Sequence, residues 1–279
     1  MKPIIIKSVF EMIKVSRNIK TSIGFVPTMG YLHEGHLSLV KKAKQETETV
    51  VVSIYVNPSQ FAPNEDLDNY PRSFKKDIQL LAELDVDYVF FPDNQEMYPE
   101  GYKTWITVEK ISKILCGKSR STHFKGVATI VAKLMNIVNA DFMFMGEKDY
   151  QQIVVLEQMI KDLNFKTRIV RCLLIREKDG IAMSSRNKYL SSQQRNDALC
   201  LYQSLLKAQK KYKEGLTESA DIIKKMKELI ESCNGVVDYI DVIDPNSLKA
   251  ISSLHKGCRI LVAVKIGKTR LIDNIEISW

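Results

Sequence analysis

The sequence predicts an α/β protein in which a doubly wound parallel sheet is followed by a smaller α+β domain. Two observations carry this expectation. Short β-branched apolar runs alternate with longer helical periodicities up to about residue 175, and beyond residue 191 two charged amphipathic helices precede three strand-like runs. A third supports it: polar clusters rich in Gly, His, Lys and Gln follow several of the apolar runs, where the chain turns from strand to helix.

Strands are predicted at residues 23–26, 50–56, 86–91, 142–145 and 166–174, where Val, Ile and Phe concentrate between turn residues. Helices are predicted at 37–44, 73–84, 126–138 and 150–163; in the last, Ile153, Leu156, Met159, Ile160 and Leu163 form one apolar face. Beyond these, helices at 193–212 and 219–232 and strands at 236–243, 259–266 and 270–277 compose the second domain. The boundary is expected at 176/177, giving domains 1–176 and 177–279. Lysines on the two late helices, among them Lys207, Lys210, Lys211, Lys224 and Lys225, read as solvated helix faces.

With 279 residues and 45% hydrophobic content the chain can bury a proper core. The formal charge of +8 divides evenly, 24 basic against 20 acidic residues before Glu177 and 17 against 13 from it onward. Polymer binders concentrate charge on one face, so anionic small molecules are the expected partners and nucleic acid is disfavoured. The five cysteines are scattered and never closer than 25 residues, which predicts neither a disulfide framework nor a zinc knuckle and favours a reducing cytoplasm. The only apolar run near the N-terminus is Ile4-Ile5-Ile6, and no stretch approaches the roughly 18 apolar residues of a membrane span, so neither export nor a membrane is expected.

The densest chemical cluster is Pro27-Thr28-Met29-Gly30-Tyr31-Leu32-His33-Glu34-Gly35-His36, placed after the first strand and before a helix. A helix N-terminus there offers free N–H groups to phosphate, the glycines allow close backbone approach, and His33 and His36, three apart, face the same way on a first helical turn. Gly146-Glu147-Lys148-Asp149-Tyr150-Gln151-Gln152 repeats the arrangement after the strand at 142–145. In it Lys148 supplies mobile positive charge, Asp149 can accept from a ribose hydroxyl or hold Mg2+, and Gln152 reaches from the first helical turn. Met183-Ser184-Ser185-Arg186-Asn187 offers two hydroxyls and a planar guanidinium suited to polyphosphate. The amides in Val56-Asn57-Pro58-Ser59-Gln60-Phe61 can bind a hydroxy acid without charge repulsion, and Arg120, His123 and Lys125 gather before another helix as candidate anion contacts. A fixed metal centre is not expected, because only His123 and His255 remain beyond the pair. An early His-x-x-His loop with a late Ser/Arg loop is the layout of adenylate-forming enzymes. Two other readings stay open on these residues alone: a nucleotidyltransferase that releases a stable nucleotidylated product, and a nucleotide-sensing or RNA-binding module.

Six segments in order, PTMGYLHEGH (27–36), VNPSQF (56–61), DLDNYPR (66–72), STHFKGVATIVAKL (121–134), GEKDYQQ (146–152) and MSSRNKYL (183–190), resemble the pantothenate synthetase family of pantoate–β-alanine ligases, across nearly the whole chain. The resemblance implies a Rossmann-like, nucleotidyltransferase-type domain that binds ATP and pantoate, a smaller C-terminal lid domain, a homodimer, and Mg-ATP as cosubstrate in pantothenate biosynthesis. It implies ATP contacts at Met29, Gly30, Tyr31, Leu32, His33, Glu34, Gly35 and His36, at Gly146, Glu147, Lys148 and Asp149, at Ile175, and at Met183, Ser184, Ser185 and Arg186. Pantoate is expected at Gln60 and Gln152, with Asn57, Arg120 and His123 as further candidates, and β-alanine at Gln60. His36, His33, Lys148 and Arg186 are the expected catalytic set. His36 is the family's usual proton donor, although a neutral imidazole that donates to phosphate serves the chemistry as well. The chain departs from the family pattern at Ser59, where Met is common, at Ser121, where Pro is common, and at Arg171-Cys172-Leu173-Leu174, which replaces a Gly-Val-Pro run and bears on the contact at Ile175.

Overall fold

The structure, a computed structural model, describes residues 2–63 and 65–278. The chain divides into two compact units, Met1–Leu173 and Leu174–Trp279. Ile175 therefore belongs to the second.

The first unit runs β1 (Ile4–Ile6), α1 (Val9–Asn18), β2 (Ile23–Thr28), α2 (Glu34–Glu46), β3 (Thr49–Ile54), α3 (Phe74–Glu83), β4 (Tyr88–Phe90), two short helices α4 (Asn94–Met97) and α5 (Cys116–Ser119), then α6 (His123–Val138), β5 (Phe142–Gly146), α7 (Tyr150–Asp162) and β6 (Arg168–Cys172). All six strands are parallel, in the order β1-β4-β3-β2-β5-β6. Central strands read as near-continuous apolar runs because helices cover both faces; Val50, Val51, Val52, Val89, Met143 and Phe144 are wholly buried. Val26, Val40, Ala43, Leu81 and Phe144 share one core cluster.

Two features extend the expected pattern. β1 and α1 were not predicted; the three residues of β1 carry no readable period. Ile4 and Ile5 are 58% and 41% exposed, and only Ile6 enters the core. β2 runs through Pro27 to Thr28, where the expected strand stopped at 26. Thr28 directs its carbonyl toward β3, accepting from the Tyr55 N–H at 3.0 Å, so by strand alternation Pro27 faces β5. Pairing with β5 ends at Phe25↔Met143, and the missing N–H of Pro27 falls beyond that ladder.

The second unit comprises α8 (Ser192–Lys213), α9 (Ser219–Ser232) and an antiparallel sheet of β7 (Gly235–Ile243), β8 (Arg259–Ile266) and β9 (Thr269–Glu276), in that order. A capping box between Ser191 and Gln194 starts α8. Leu205, Ile230, Val262 and Val264 lie in its core. No helix among the described residues is long and apolar enough to cross a membrane.

Candidate active site

Strand order reverses between β2 and β5, so the loops leaving their carboxyl ends are adjacent, the place where open α/β sheets bind ligands. The β2 loop turns through two residues of positive φ, Gly30 at 80° and Tyr31 at 53°. The Thr28 hydroxyl donates to the Ser53 carbonyl at 2.7 Å and accepts from the Gly30 N–H at 3.2 Å, closing the turn. His33 then caps α2 in extended conformation, and its carbonyl accepts from the N–H groups of His36 (2.8 Å) and Leu37 (3.0 Å). No side chain among the described residues caps α2, so its first amides can donate to an anion. The His33 and His36 rings lie 4.0 Å apart between centroids, on one side as their spacing predicted.

Burial holds the His36 pKa well below the usual 6.5, with His33 and then Lys148 adding to the effect. Its imidazole is therefore neutral near pH 7. Its Nδ1 is buried with no hydrogen-bond partner among the described residues. Lys148 and Asp149 occupy a single 3-10 turn, Glu147–Asp149, between β5 and α7, with Lys148 Nζ 3.6 Å from Asp149 Oδ2. Within the β2 loop, Leu32 is 7% exposed and anchors the loop in the core, whereas Glu34 turns to solvent and pairs with Lys41 at 3.3 Å.

The amide pair resolves into a pin and a reader. Asn57 is 1% exposed. Its Nδ2 donates to the Gly126 carbonyl (3.2 Å) and to Gln60 Oε1 (3.3 Å), and its Oδ1 accepts from the Ser59 hydroxyl (2.9 Å) and the Tyr98 hydroxyl (3.0 Å). Gln60 ends the 3-10 turn Pro58–Gln60 and donates to the Met29 sulfur at 2.9 Å, which brings it beside the β2 loop. Arg120 and His123, expected to meet the acid, both contact this turn: Arg120 Nη2 donates to the Gln60 carbonyl at 3.3 Å, and His123 Nδ1 lies 2.9 Å from the same oxygen. Arg120 also forms a bidentate pair with Glu65, both contacts 2.6 Å. On α7 the neighbouring glutamines differ. Gln151 is 3% exposed and ties down the Ile111 and Ile114 carbonyls and the Cys116 N–H, whereas Gln152 is half-buried.

In the second unit, residues 175–183 fold back as a hairpin in which the Met183 N–H donates to the Ile175 carbonyl at 3.0 Å, joining two residues expected to touch ATP. Ser184 caps the 3-10 turn Ser185–Tyr189 through the Arg186 N–H at 3.2 Å; Ser185 is itself buried. Among the described residues no group of three His, Cys, Asp or Glu side chains forms a metal site.

The sequence profile of pantoate-beta-alanine ligases matches residues 4–276. The chain belongs to this family. Members with nearly full-length similarity include the pantothenate synthetases of Sulfurihydrogenibium sp., 49% identical over 91% of each chain, and Caldicellulosiruptor bescii, 48% identical over 99% of each. The crystal structure of pantothenate synthetase from Thermus thermophilus superposes with a TM-score of 0.94 at 40% identity, covering 99% of this chain and 100% of that one. A pantoate-beta-alanine ligase from Francisella tularensis, complexed with beta-gamma ATP and beta-alanine, has a TM-score of 0.84 at 38% identity, covering 99% and 98%.

Three residues that hold these loops, two in the first unit and one in the second, were missed by sequence reasoning. Asp77 on α3 holds the β2 loop, accepting from the Tyr31 and Leu32 N–H groups at 2.8 Å each. Burial pushes its carboxyl up from the ordinary value, against those two donors and Lys76, which pull it down. Tyr98 locks Asn57 through the hydroxyl contact already described. In the second unit Arg176 pins the hairpin: it pairs with Asp273 at 2.6 and 2.9 Å, donates to the Gly180 carbonyl at 3.0 Å, and lies 3.8 Å over the Tyr202 ring. Asp77 had one visible signal, its place among Phe74, Ile78 and Leu81 on the apolar face of a helix.

Proposed function

We propose that this chain condenses pantoate with β-alanine, converting ATP to AMP and diphosphate through a pantoyl adenylate, as a step of pantothenate biosynthesis. The observation that carries the reading is the gathering at the β2/β5 reversal of a neutral His36, Lys148 and the Gln60 turn, in a chain similar to pantothenate synthetases over nearly its whole length.

In the first step a pantoate carboxylate oxygen attacks the α-phosphorus and the bond to the β-phosphate bridging oxygen breaks. This displacement needs alignment and neutralised charge, and no covalent enzyme intermediate. His33, His36, the free amides of α2 and Lys148 are assigned to the phosphates, with Met29, Gly30, Tyr31, Gly35, Gly146, Glu147 and Asp149 lining the nucleotide. Neutral in the free chain, His36 can donate one hydrogen bond without being an imidazolium acid, so we assign it as a phosphate anchor rather than a general acid. Gln60 and Gln152 hold the hydroxy acid, with Gln60 also near β-alanine, and Asn57, Arg120 and His123 support Gln60. On the second unit, Ile175, Met183, Ser184, Ser185 and Arg186 are assigned further contacts to the nucleotide. In the second step the β-alanine amine attacks the acyl carbon, the carbon–oxygen bond to AMP breaks, and the ammonium proton is lost. Mg2+ bound to ATP supplies charge neutralisation on the phosphates. A homodimer, a lid role for the second unit and a cytoplasmic location belong to the same proposal.

The test is AMP formation with pantoate, β-alanine and Mg-ATP, omitting each in turn. Amide product and AMP should form in equal amounts only with all three present. A stable nucleotidylated product formed without amine, or ATP binding without turnover, would overturn the reading.

A further inference from the structure

The carboxylate of Asp77 lies beneath the nucleotide loop and takes no part in the chemistry assigned above. It sits in the first turn of α3, is 1% exposed, and uses both oxygens on backbone donors, Oδ2 on the Tyr31 N–H and Oδ1 on the Leu32 N–H. A buried carboxylate is costly without partners, and here the partners are the two amides next to the sharpest turn in the loop. Gly30 and Tyr31 both have positive φ, and a Cβ at Gly30 would come within 3.1 Å of Asp77 Oδ2 and 3.0 Å of Ile54 Cγ2. Loop and carboxylate are thus fitted to each other. Leu32 continues into the core, and His33 caps α2 one residue later.

We infer that Asp77 is a positioning residue for ATP: by holding the Tyr31 and Leu32 amides it fixes the left-handed turn from which His33, His36 and the first amides of α2 are aimed at the phosphates. The inference deepens the proposed function and rests on its placement of the nucleotide. Asp77 itself touches no substrate, because both oxygens are engaged below the loop. Without the carboxylate the turn loses the acceptor that opposes its positive φ, and the two imidazoles lose their common orientation.

The test uses the full chain carrying Asp77→Asn, which keeps one acceptor but sets an amide N–H against a backbone N–H. Calorimetric ATP affinity, which does not depend on which reaction follows, should weaken by about tenfold or more, the effect of losing a hydrogen bond to a charged group. In the ligase assay KM for ATP and the rate of adenylate formation should suffer, while β-alanine capture by preformed pantoyl adenylate should stay within about twofold of wild type, because loop orientation serves the phosphates. The double variant with His36→Gln should lose less ATP affinity than the sum of the two single losses, because part of the effect of Asp77 passes through His36. If Asp77→Asn does not fold, Gly30→Ala perturbs the same turn from the other side and should show the same split. Unchanged ATP affinity in a folded variant, equal loss in both half-reactions, or full additivity with His36→Gln would overturn the role. Wild type that binds ATP but makes no amide product refutes the proposed function while leaving the affinity comparison valid.

Discussion

Replacing Gly126 by Ala should damage acid binding far more than it damages the fold. Gly126 lies where α6 crosses the Pro58–Gln60 turn, and a Cβ there would meet the Ser59 carbonyl oxygen at 2.4 Å, its carbon at 2.5 Å and the Gln60 nitrogen at 2.7 Å. All three are backbone atoms, so no side chain can rotate away. Restoring ordinary contact, which begins at 3.4 Å, requires the turn or the helix to move by about 1 Å. That movement lengthens the bond from Asn57 to the Gly126 carbonyl and the contacts of His123 and Arg120 to the Gln60 carbonyl, at 3.2, 2.9 and 3.3 Å. Overpacking costs about 1–3 kcal/mol, and the helical gain of Ala over Gly returns about 1 kcal/mol, so net destabilisation should be at most about 2 kcal/mol. A 1 Å misplacement of a substrate-positioning group costs on the order of 100-fold. Steady-state kinetics with pantoate varied should show that fall in kcat/KM, with KM for ATP little changed and a cooperative melt retained. A folded variant whose kcat/KM for pantoate stays within about threefold of wild type would refute the reasoning.

Four further outcomes follow from the same geometry. Lys148→Ala should slow adenylate formation by about 100-fold, the scale of removing one preorganised electrostatic donor, read as pantoate-dependent exchange of diphosphate into ATP; a wild-type rate would remove Lys148 from the phosphates. His36→Ala should impair that step and spare capture of preformed pantoyl adenylate by β-alanine, and equal losses would extend its role to both. Because the folded His36 pKa lies well below 6.5, the unfolded chain takes up a proton that the folded chain refuses as pH falls below 6.5. Stability from this group is therefore complete above about pH 6.5 and declines toward the folded value, and urea midpoints of His36→Gln should show a shallower acid limb; an identical limb would contradict the buried neutral ring. Asp273→Ala leaves Arg176, whose side chain is 18% exposed, without its 1%-exposed partner, and should destabilise the second unit by about 3–5 kcal/mol in chemical denaturation. A loss below about 1 kcal/mol would show that the pair does not secure the hairpin carrying Ile175 and Met183.

The sequence made the strand-loop-helix junctions readable because β-branched runs, glycines and paired histidines each carry a local rule. Direction was harder to read. Asn57, Arg120 and His123 have the donors an acid ligand needs, but the same donors satisfy the Gln60 carbonyl, Gly126 and Glu65, and only tertiary placement separates the two uses. Gln151 and Gln152 are adjacent and chemically identical, yet about 100° of helical rotation buries one and leaves the other half-exposed. β1 gave no signal because two of its three isoleucines are exposed and its stability comes from pairing with β4, more than eighty residues away. Asp77 was legible in principle: an acid on the apolar face of an amphipathic helix needs a buried partner, and the nearby glycine turn supplies it.

The central claim is that the acid is activated as an acyl adenylate, and oxygen tracing tests it most directly. With pantoate labelled by oxygen-18 in its carboxylate, attack at the α-phosphorus followed by amine attack at the acyl carbon leaves one labelled oxygen in AMP and one in the amide carbonyl. Mass spectrometry of the products should find both; AMP free of the label, with the label in inorganic phosphate or diphosphate instead, would contradict the account.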